Sequence, residues 1–81
     1  MIYFKNTIIA CPEYYDVLLD DTDEIIGNIR LRWGILIAKI KGKIIYEHNF
    51  HDDFKGCFDD DIERNLYLGI IEQEIIKHLT K

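Results

Sequence analysis

Residues 28–33 alternate strictly between polar and apolar side chains, which is the period of a strand with one buried face. Ile29, Leu31 and Trp33 form the apolar side of this segment. After Gly34 the phase shifts by one residue, so that the apolar set continues at positions 36, 38 and 40. A phase shift at a glycine predicts a bulge or a tight turn between two strands.

A second reversal is predicted around Lys41-Gly42-Lys43, between two further β-type segments. A loop with an odd number of residues keeps the apolar positions before and after it on the same face, whereas a two-residue loop would separate them. The pattern therefore favours the odd loop, with Gly42 in the left-handed conformation.

The remaining segments complete a simple architecture. Residues 2–10 are typical of an edge strand that stops at Cys11-Pro12, and residues 14–19 predict a second strand before the acidic turn at 20–23. Residues 51–57 are a connecting loop, and a helix is expected from about Asp60 to Leu79. We predict one small α+β domain over residues 1–81, an antiparallel β-meander of four to five strands packed against one C-terminal helix.

The predicted helix has too many apolar positions for one stripe. One side carries Ile62, Leu66, Ile70 and Ile76, and another carries Leu68, Ile71, Ile75 and Leu79. One sheet covers only one stripe of a helix fully, so the other is buried either by curling of the sheet or by a second molecule. We expect a homo-oligomer, most simply a dimer, with Leu68, Ile71, Ile75 and Leu79 at its interface.

The composition predicts the redox state of the cysteines and the cellular location of the chain. Its two cysteines are too few for the disulfide framework of a small secreted domain, and no apolar run has the length of a signal sequence or a membrane span. These features predict reduced thiols, a cytoplasmic location and no membrane association. The net charge of −5 predicts no direct nucleic-acid binding, because phosphates would be repelled overall.

The charge is nevertheless unevenly distributed, and the middle of the chain is basic. Residues 25–50 carry five Lys and Arg against one acid, and their predicted strands place cations and isoleucines on one outer face. This mixture fits a protein interface. The expected binding residues are Arg30, Arg32, Trp33, Ile35, Ile37, Lys39 and Lys41. A solvated sheet face is the alternative, as is mimicry of nucleic acid by the acidic loops.

No reaction-specific motif is present. The chain lacks serine, and none of its isolated glycines opens a helix as in a phosphate-binding loop. No catalytic residue, metal ligand or cofactor is therefore predicted. A metal-dependent enzyme that uses His48, His51 and Asp52 is an alternative, although this spacing matches no known metal signature.

These observations favour a non-enzymatic module that binds another protein. Its small size and acidity also suggest a phage or mobile-element inhibitor that occupies the surface of a host defence protein, an analogy of size and style alone. The main alternative is an oligomer that sequesters a small anion such as a nucleotide, with charge from Arg30, Arg32 and Lys39 and stacking by Trp33 or Tyr46.

Overall fold

The computed structural model describes residues 1–8 and 11–80 of the chain. The elements are β1 (Ile2–Ile8), β2 (Glu13–Leu19), β3 (Ile25–Arg32), β4 (Ile35–Ile40), β5 (Lys43–Asn49) and α1 (Asp61–Leu79). The strands form one antiparallel sheet in the order β1-β2-β3-β4-β5, so each strand pairs with its neighbour in the chain. The predicted α+β meander with a C-terminal helix is confirmed. Residues 9 and 10 of the predicted first strand lie outside the described residues.

The core lies between one face of the sheet and α1. Ile71 and Ile75 of the helix have no exposed surface. They pack against inward-facing strand residues, among them Val17, Ile29, Leu31, Leu36, Ala38 and Ile40. Full burial of such side chains stabilises the fold by about 1.5–3 kcal/mol each. This packing fixes which face of the sheet and which stripe of the helix are left uncovered.

The predicted oligomer interface is wrong in its choice of stripe. Ile71 and Ile75 are fully buried in the core, and Leu68 and Leu79 are half-buried against it. The stripe that the sheet leaves exposed is instead formed by Ile62, Leu66 and Ile70. Both stripes have similar apolar residues, so their spacing in the sequence could not indicate which one the sheet covers.

The helix begins at the predicted position because its first amides are capped. The Asp60 side chain accepts a hydrogen bond from the Glu63 amide at 2.7 Å, and the Glu63 carboxylate accepts one from the Asp59 amide at 3.0 Å. At the other end, the Thr80 amide donates to the Ile76 carbonyl. Within the described part of the chain, no helix combines the length and the apolar character needed to cross a membrane.

The turn between β4 and β5 differs from the prediction. Its loop contains only Lys41 and Gly42, with φ angles of 51° and 82°, and Ile40 pairs directly with Lys43. A β-bulge restores the phase, because the register shifts next to Ala38 and leaves Ile45 as an extra residue in β5. Leu36 and Ala38 therefore share a face with His48 and Tyr46, as predicted, but Ile44 pairs with Lys39 and lies on the outer face. The predicted loop length is wrong, and the left-handed Gly42 is right.

Candidate functional site

The turn between β3 and β4 consists of Trp33 and Gly34, whose φ angles of 56° and 74° are typical of a two-residue hairpin turn. The predicted reversal at Gly34 is confirmed. Trp33, however, does not share the buried face of Ile29 and Leu31, because it occupies the turn itself and is 64% exposed. An exposed tryptophan at a turn is unusual, since its large apolar surface is normally covered.

The loop after β5 is fixed against this turn by backbone hydrogen bonds. The Gly34 amide donates to the Lys55 carbonyl at 2.8 Å, and the Phe50 amide donates to the Gly34 carbonyl at 2.8 Å. Within the loop, the Asp52 side chain accepts a hydrogen bond from the Phe54 amide at 3.1 Å. The Phe54 ring is 93% exposed, so the backbone around an uncovered aromatic ring is held in place.

A disulfide joins Cys11 to Cys57, with a Cα–Cα distance of 5.3 Å. The prediction that both thiols are reduced is therefore wrong. These residues are 46 positions apart in the sequence, and only the tertiary fold brings them together. The bond ties the loop after β5 to the segment before β2, next to a hydrogen bond from the Glu13 amide to the Gly56 carbonyl.

The buried carboxylate of Glu13 also holds the loop after β5 in place. Glu13 is 3% exposed and accepts hydrogen bonds from the Phe58 amide, from the Tyr15 hydroxyl and from two nitrogens of Arg64, at 2.7 to 3.1 Å. Burial raises the pKa of Glu13, but these hydrogen bonds outweigh burial, so the pKa lies below its ordinary value. Burial and the contact with Glu13 raise the pKa of Tyr15 to about 12. The carboxylate therefore stays ionised and anchors the loop to the helix.

These contacts shape an open apolar cleft of about 310 Å³. We call it the aromatic cleft; its lining residues are Cys11, Pro12, Arg32, Trp33, Phe54 and Gly56. The Arg32 guanidinium lies 5.5 Å from the centre of the Trp33 ring, a cation–π arrangement. The cleft thus combines two exposed aromatic rings with one positive charge, on a backbone that a disulfide and hydrogen bonds hold in shape.

The aromatic cleft continues into the outer face of the sheet through Arg32. Cross-strand pairing places Arg30 opposite Ile37, and Arg32 opposite Ile35. Lys39 follows on the same side of β4, since the alternate residues Leu36, Ala38 and Ile40 face the core. We call Arg30, Arg32, Ile35, Ile37 and Lys39 the basic sheet face. The structure brings these predicted binding residues together on the face that α1 does not cover.

Two other predicted ligand-binding residues lie elsewhere. Lys41 is in the β4–β5 turn, at the opposite end of β4 from Trp33. Tyr46 is half-buried and packs against the core on the helix side of the sheet. It therefore cannot stack on a nucleotide that Arg30 and Arg32 bind, and in that alternative only Trp33 remains as the stacking ring.

The histidines do not form a metal site within the described residues. His48 lies in a cluster of rings, with its centroid 4.6 Å from that of Phe50 and 5.1 Å from that of Tyr67. His51 and Asp52 are exposed in the loop. Across residues 1–8 and 11–80, no three His, Cys, Asp or Glu side chains are placed to hold a metal ion together.

The sequence did not predict that Phe54 and Gly56, from the loop after β5, line the aromatic cleft. The sequence predicts only a connecting loop at Phe54, although an aromatic residue between two charged ones, Asp53 and Lys55, is a signal of an uncovered ring. The disulfide gave no signal, because two cysteines so far apart match no local motif.

Comparison of the chain with family models, with curated proteins and with solved structures gives no match.

Proposed function

We propose that this chain is a non-enzymatic protein-binding module, and that its binding surface is the aromatic cleft together with the basic sheet face. The observation that supports the proposal most is the exposure of Trp33 and Phe54 on a constrained backbone. Tryptophan and arginine are enriched among the residues that dominate binding energies, and a preformed site loses less conformational entropy on binding.

The charges beside the cleft indicate the chemistry of the partner. Arg32 borders the cleft, and Arg30 and Lys39 lie further along the same face. Two acids share this face, Glu47 opposite Ile37 and Asp16 opposite Asn28. A partner that places an apolar or aromatic side chain between Trp33 and Phe54, with carboxylates beside it, would match both the shape and the charge.

The narrower hypothesis of a phage or mobile-element inhibitor of a host defence protein stays a prediction. The same is true of a cytoplasmic location, and the Cys11–Cys57 disulfide weighs against it, because disulfides persist mainly in oxidising compartments.

The test is an affinity purification with three baits from a lysate of the source organism. The baits are the wild-type chain, the Trp33→Ala/Phe54→Ala variant and a control Ile25→Ala variant, whose isoleucine is exposed at the start of β3, far along the strand from Trp33. We expect proteins that wild type and control retain and that the double variant loses. For such a protein in purified form, Trp33→Ala should weaken binding about 30-fold, as for a residue contributing about 2 kcal/mol.

Equal retention by all three baits would contradict the proposal. Calorimetric titration with nucleotides at low and high salt distinguishes protein binding from sequestration of a small anion. A protein-binding module should give no heat with nucleotides. Heat that disappears in the Arg30→Ala/Arg32→Ala variant would instead favour sequestration of an anionic ligand.

A further inference from the structure

The Cys11–Cys57 disulfide lies at the surface of the molecule, in a wall of the aromatic cleft. Cys11 is exposed and lines the cleft, and Cys57 is half-buried. Within the described part of the chain, neither cysteine belongs to the buried core. Exposed disulfides are in general easier to reduce than buried structural ones, and they are the bonds that redox regulation uses.

The disulfide joins two of the three segments that form the cleft, namely residues 11–12 and residues 54–56. Among the described residues, Cys11 makes no hydrogen bond or ion pair besides this bond, and Pro12 has no amide hydrogen to donate. The nearest hydrogen bond runs from the Glu13 amide to the Gly56 carbonyl, at the start of β2. The disulfide therefore holds the Cys11-Pro12 wall against the loop.

The other walls of the cleft have further support. The Lys55 carbonyl accepts a hydrogen bond from the Gly34 amide, and the Phe58 amide donates to the Glu13 carboxylate. The Lys55 ammonium also lies 2.9 Å from a carboxylate oxygen of Glu63 on α1. Opening of the disulfide would thus free the Cys11-Pro12 wall and loosen the loop, while these contacts keep the rest of the cleft attached to the fold.

We propose that the Cys11–Cys57 bond is a redox switch of the aromatic cleft, which binds its partner in the oxidised chain and binds it more weakly after reduction by a thiol. This inference rests on the proposed function, because it concerns the regulation of the same surface. It also reconciles the disulfide with the predicted cytoplasmic location, since disulfides in the cytosol are usually transient or redox-sensing.

Reduction consumes two thiols, which supply two electrons. A thiolate of the reductant attacks Cys11, the exposed partner of the bond; a new S–S bond forms, and Cys57 leaves as a thiolate that takes up a proton. A second thiolate then attacks the reductant's sulfur in this mixed disulfide and releases Cys11, which is protonated in turn. The reductant ends as a disulfide. The positive charge of Arg32, at the same cleft, favours the approach of the anionic thiolate.

Equilibration with glutathione tests whether the bond opens in the folded chain. The protein is incubated at a series of ratios of reduced to oxidised glutathione, free thiols are alkylated, and mass spectrometry counts them. At millimolar reduced glutathione we expect both thiols to appear while the circular dichroism spectrum stays that of the folded chain. A bond that stays closed until urea is added, or that opens only when the whole chain unfolds, would be structural and would overturn the proposal.

An NMR titration tests the effect on binding. The probe is indole-3-acetate, whose ring suits an apolar cleft and whose carboxylate suits Arg32, and the signals followed include the indole N–H of Trp33, the one tryptophan of the chain. We expect the Kd to rise about tenfold on reduction, because binding must then order the freed wall. The Cys11→Ser/Cys57→Ser variant should bind like the reduced chain and should not respond to glutathione, and Trp33→Ala/Phe54→Ala should not bind in either state.

The outcomes separate this inference from the proposed function. Equal or tighter binding by the reduced chain would overturn the switch and leave the binding surface in place. No binding by the oxidised chain would contradict the aromatic cleft as a binding site, and the switch with it.

Discussion

The chain makes two turns of the same backbone conformation at opposite ends of β4. Trp33-Gly34 and Lys41-Gly42 each contain two residues with positive φ, and each ends in glycine. Gly34 is buried and hydrogen-bonded on both sides to the loop after β5. Gly42 is exposed, with open space where a side chain would begin. The same local geometry is therefore part of the proposed binding surface in one place and only reverses the chain in the other.

The two turns differ in the contacts that hold them. Both conformations follow from local backbone preferences. The second turn has one hydrogen bond to a distant segment, from the Lys41 amide to the Ile26 carbonyl, whereas the first is packed against a loop that the disulfide, the Asp52 turn and the buried Glu13 hold in place. Such support lowers the conformational entropy that a binding partner must remove. If the contrast is right, substitutions should have very different effects at the two turns.

The largest effect is expected for Gly34→Ala compared with Gly42→Ala. A Cβ at Gly34 would overlap the Asp52 carbonyl oxygen, in addition to the strain of positive φ, so we expect a loss of more than about 4 kcal/mol or failure to fold. Gly42→Ala carries the strain alone and should cost about 1 kcal/mol. Urea unfolding measures both, and similar losses would contradict the contrast between the turns.

The second-largest loss of stability is expected when the disulfide is removed. For a separation of 46 residues, the Cys11→Ala/Cys57→Ala variant should lose about 4 kcal/mol in the chain-entropy model. Amide hydrogen exchange should become faster in residues 50–58. The Lys41 amide, which donates to the Ile26 carbonyl at the other turn, should exchange faster only to the extent that global stability falls. Exchange that rises equally at both turns would show that the bond does not act locally.

The smallest effect concerns the buried carboxylate and its pH dependence. Glu13→Gln should cost about 2 kcal/mol at neutral pH, since hydrogen bonds to a charged group are lost. The pKa of Glu13 is lowered in the folded state, so its contribution is present above the unfolded pKa of about 4.3 and is lost as pH falls through the folded value.

Urea unfolding at a series of pH values checks this sign. The difference in unfolding free energy between wild type and Glu13→Gln should shrink as the solution is acidified below about pH 4. A difference that stays constant, or that grows in acid, would mean that the carboxylate is not held in its ionised form.

The sequence predicted the elements that depend on short-range periodicity. The strand order, the helix with its Asp60 cap and the shared outer face of Arg30, Arg32 and Lys39 follow from alternation and capping. The length of the Lys41-Gly42 loop did not follow, because a bulge can restore the phase that loop length changes.

The features that long-range contacts decide could not be predicted. Which helix stripe the sheet covers depends on how α1 is rotated about its own axis, and Ile71 and Leu66 look alike in the sequence. The Cys11–Cys57 bond and the aromatic cleft bring together three segments that are far apart in the chain. Nothing local to Cys11, Trp33 or Phe54 indicates that they meet.

The extra residue in β5 gives the β4–β5 hairpin a position where its length is adjustable. Ile45 has no partner in the ladder, because Ile44 pairs with Lys39 and Tyr46 pairs with Ala38. Loss of this residue would turn the bulge into a regular ladder without moving any other side chain to the opposite face. Loss of a residue from the regularly paired part of β5 would reverse every side chain beyond it, so insertions and deletions in this hairpin should be tolerated first at Ile45.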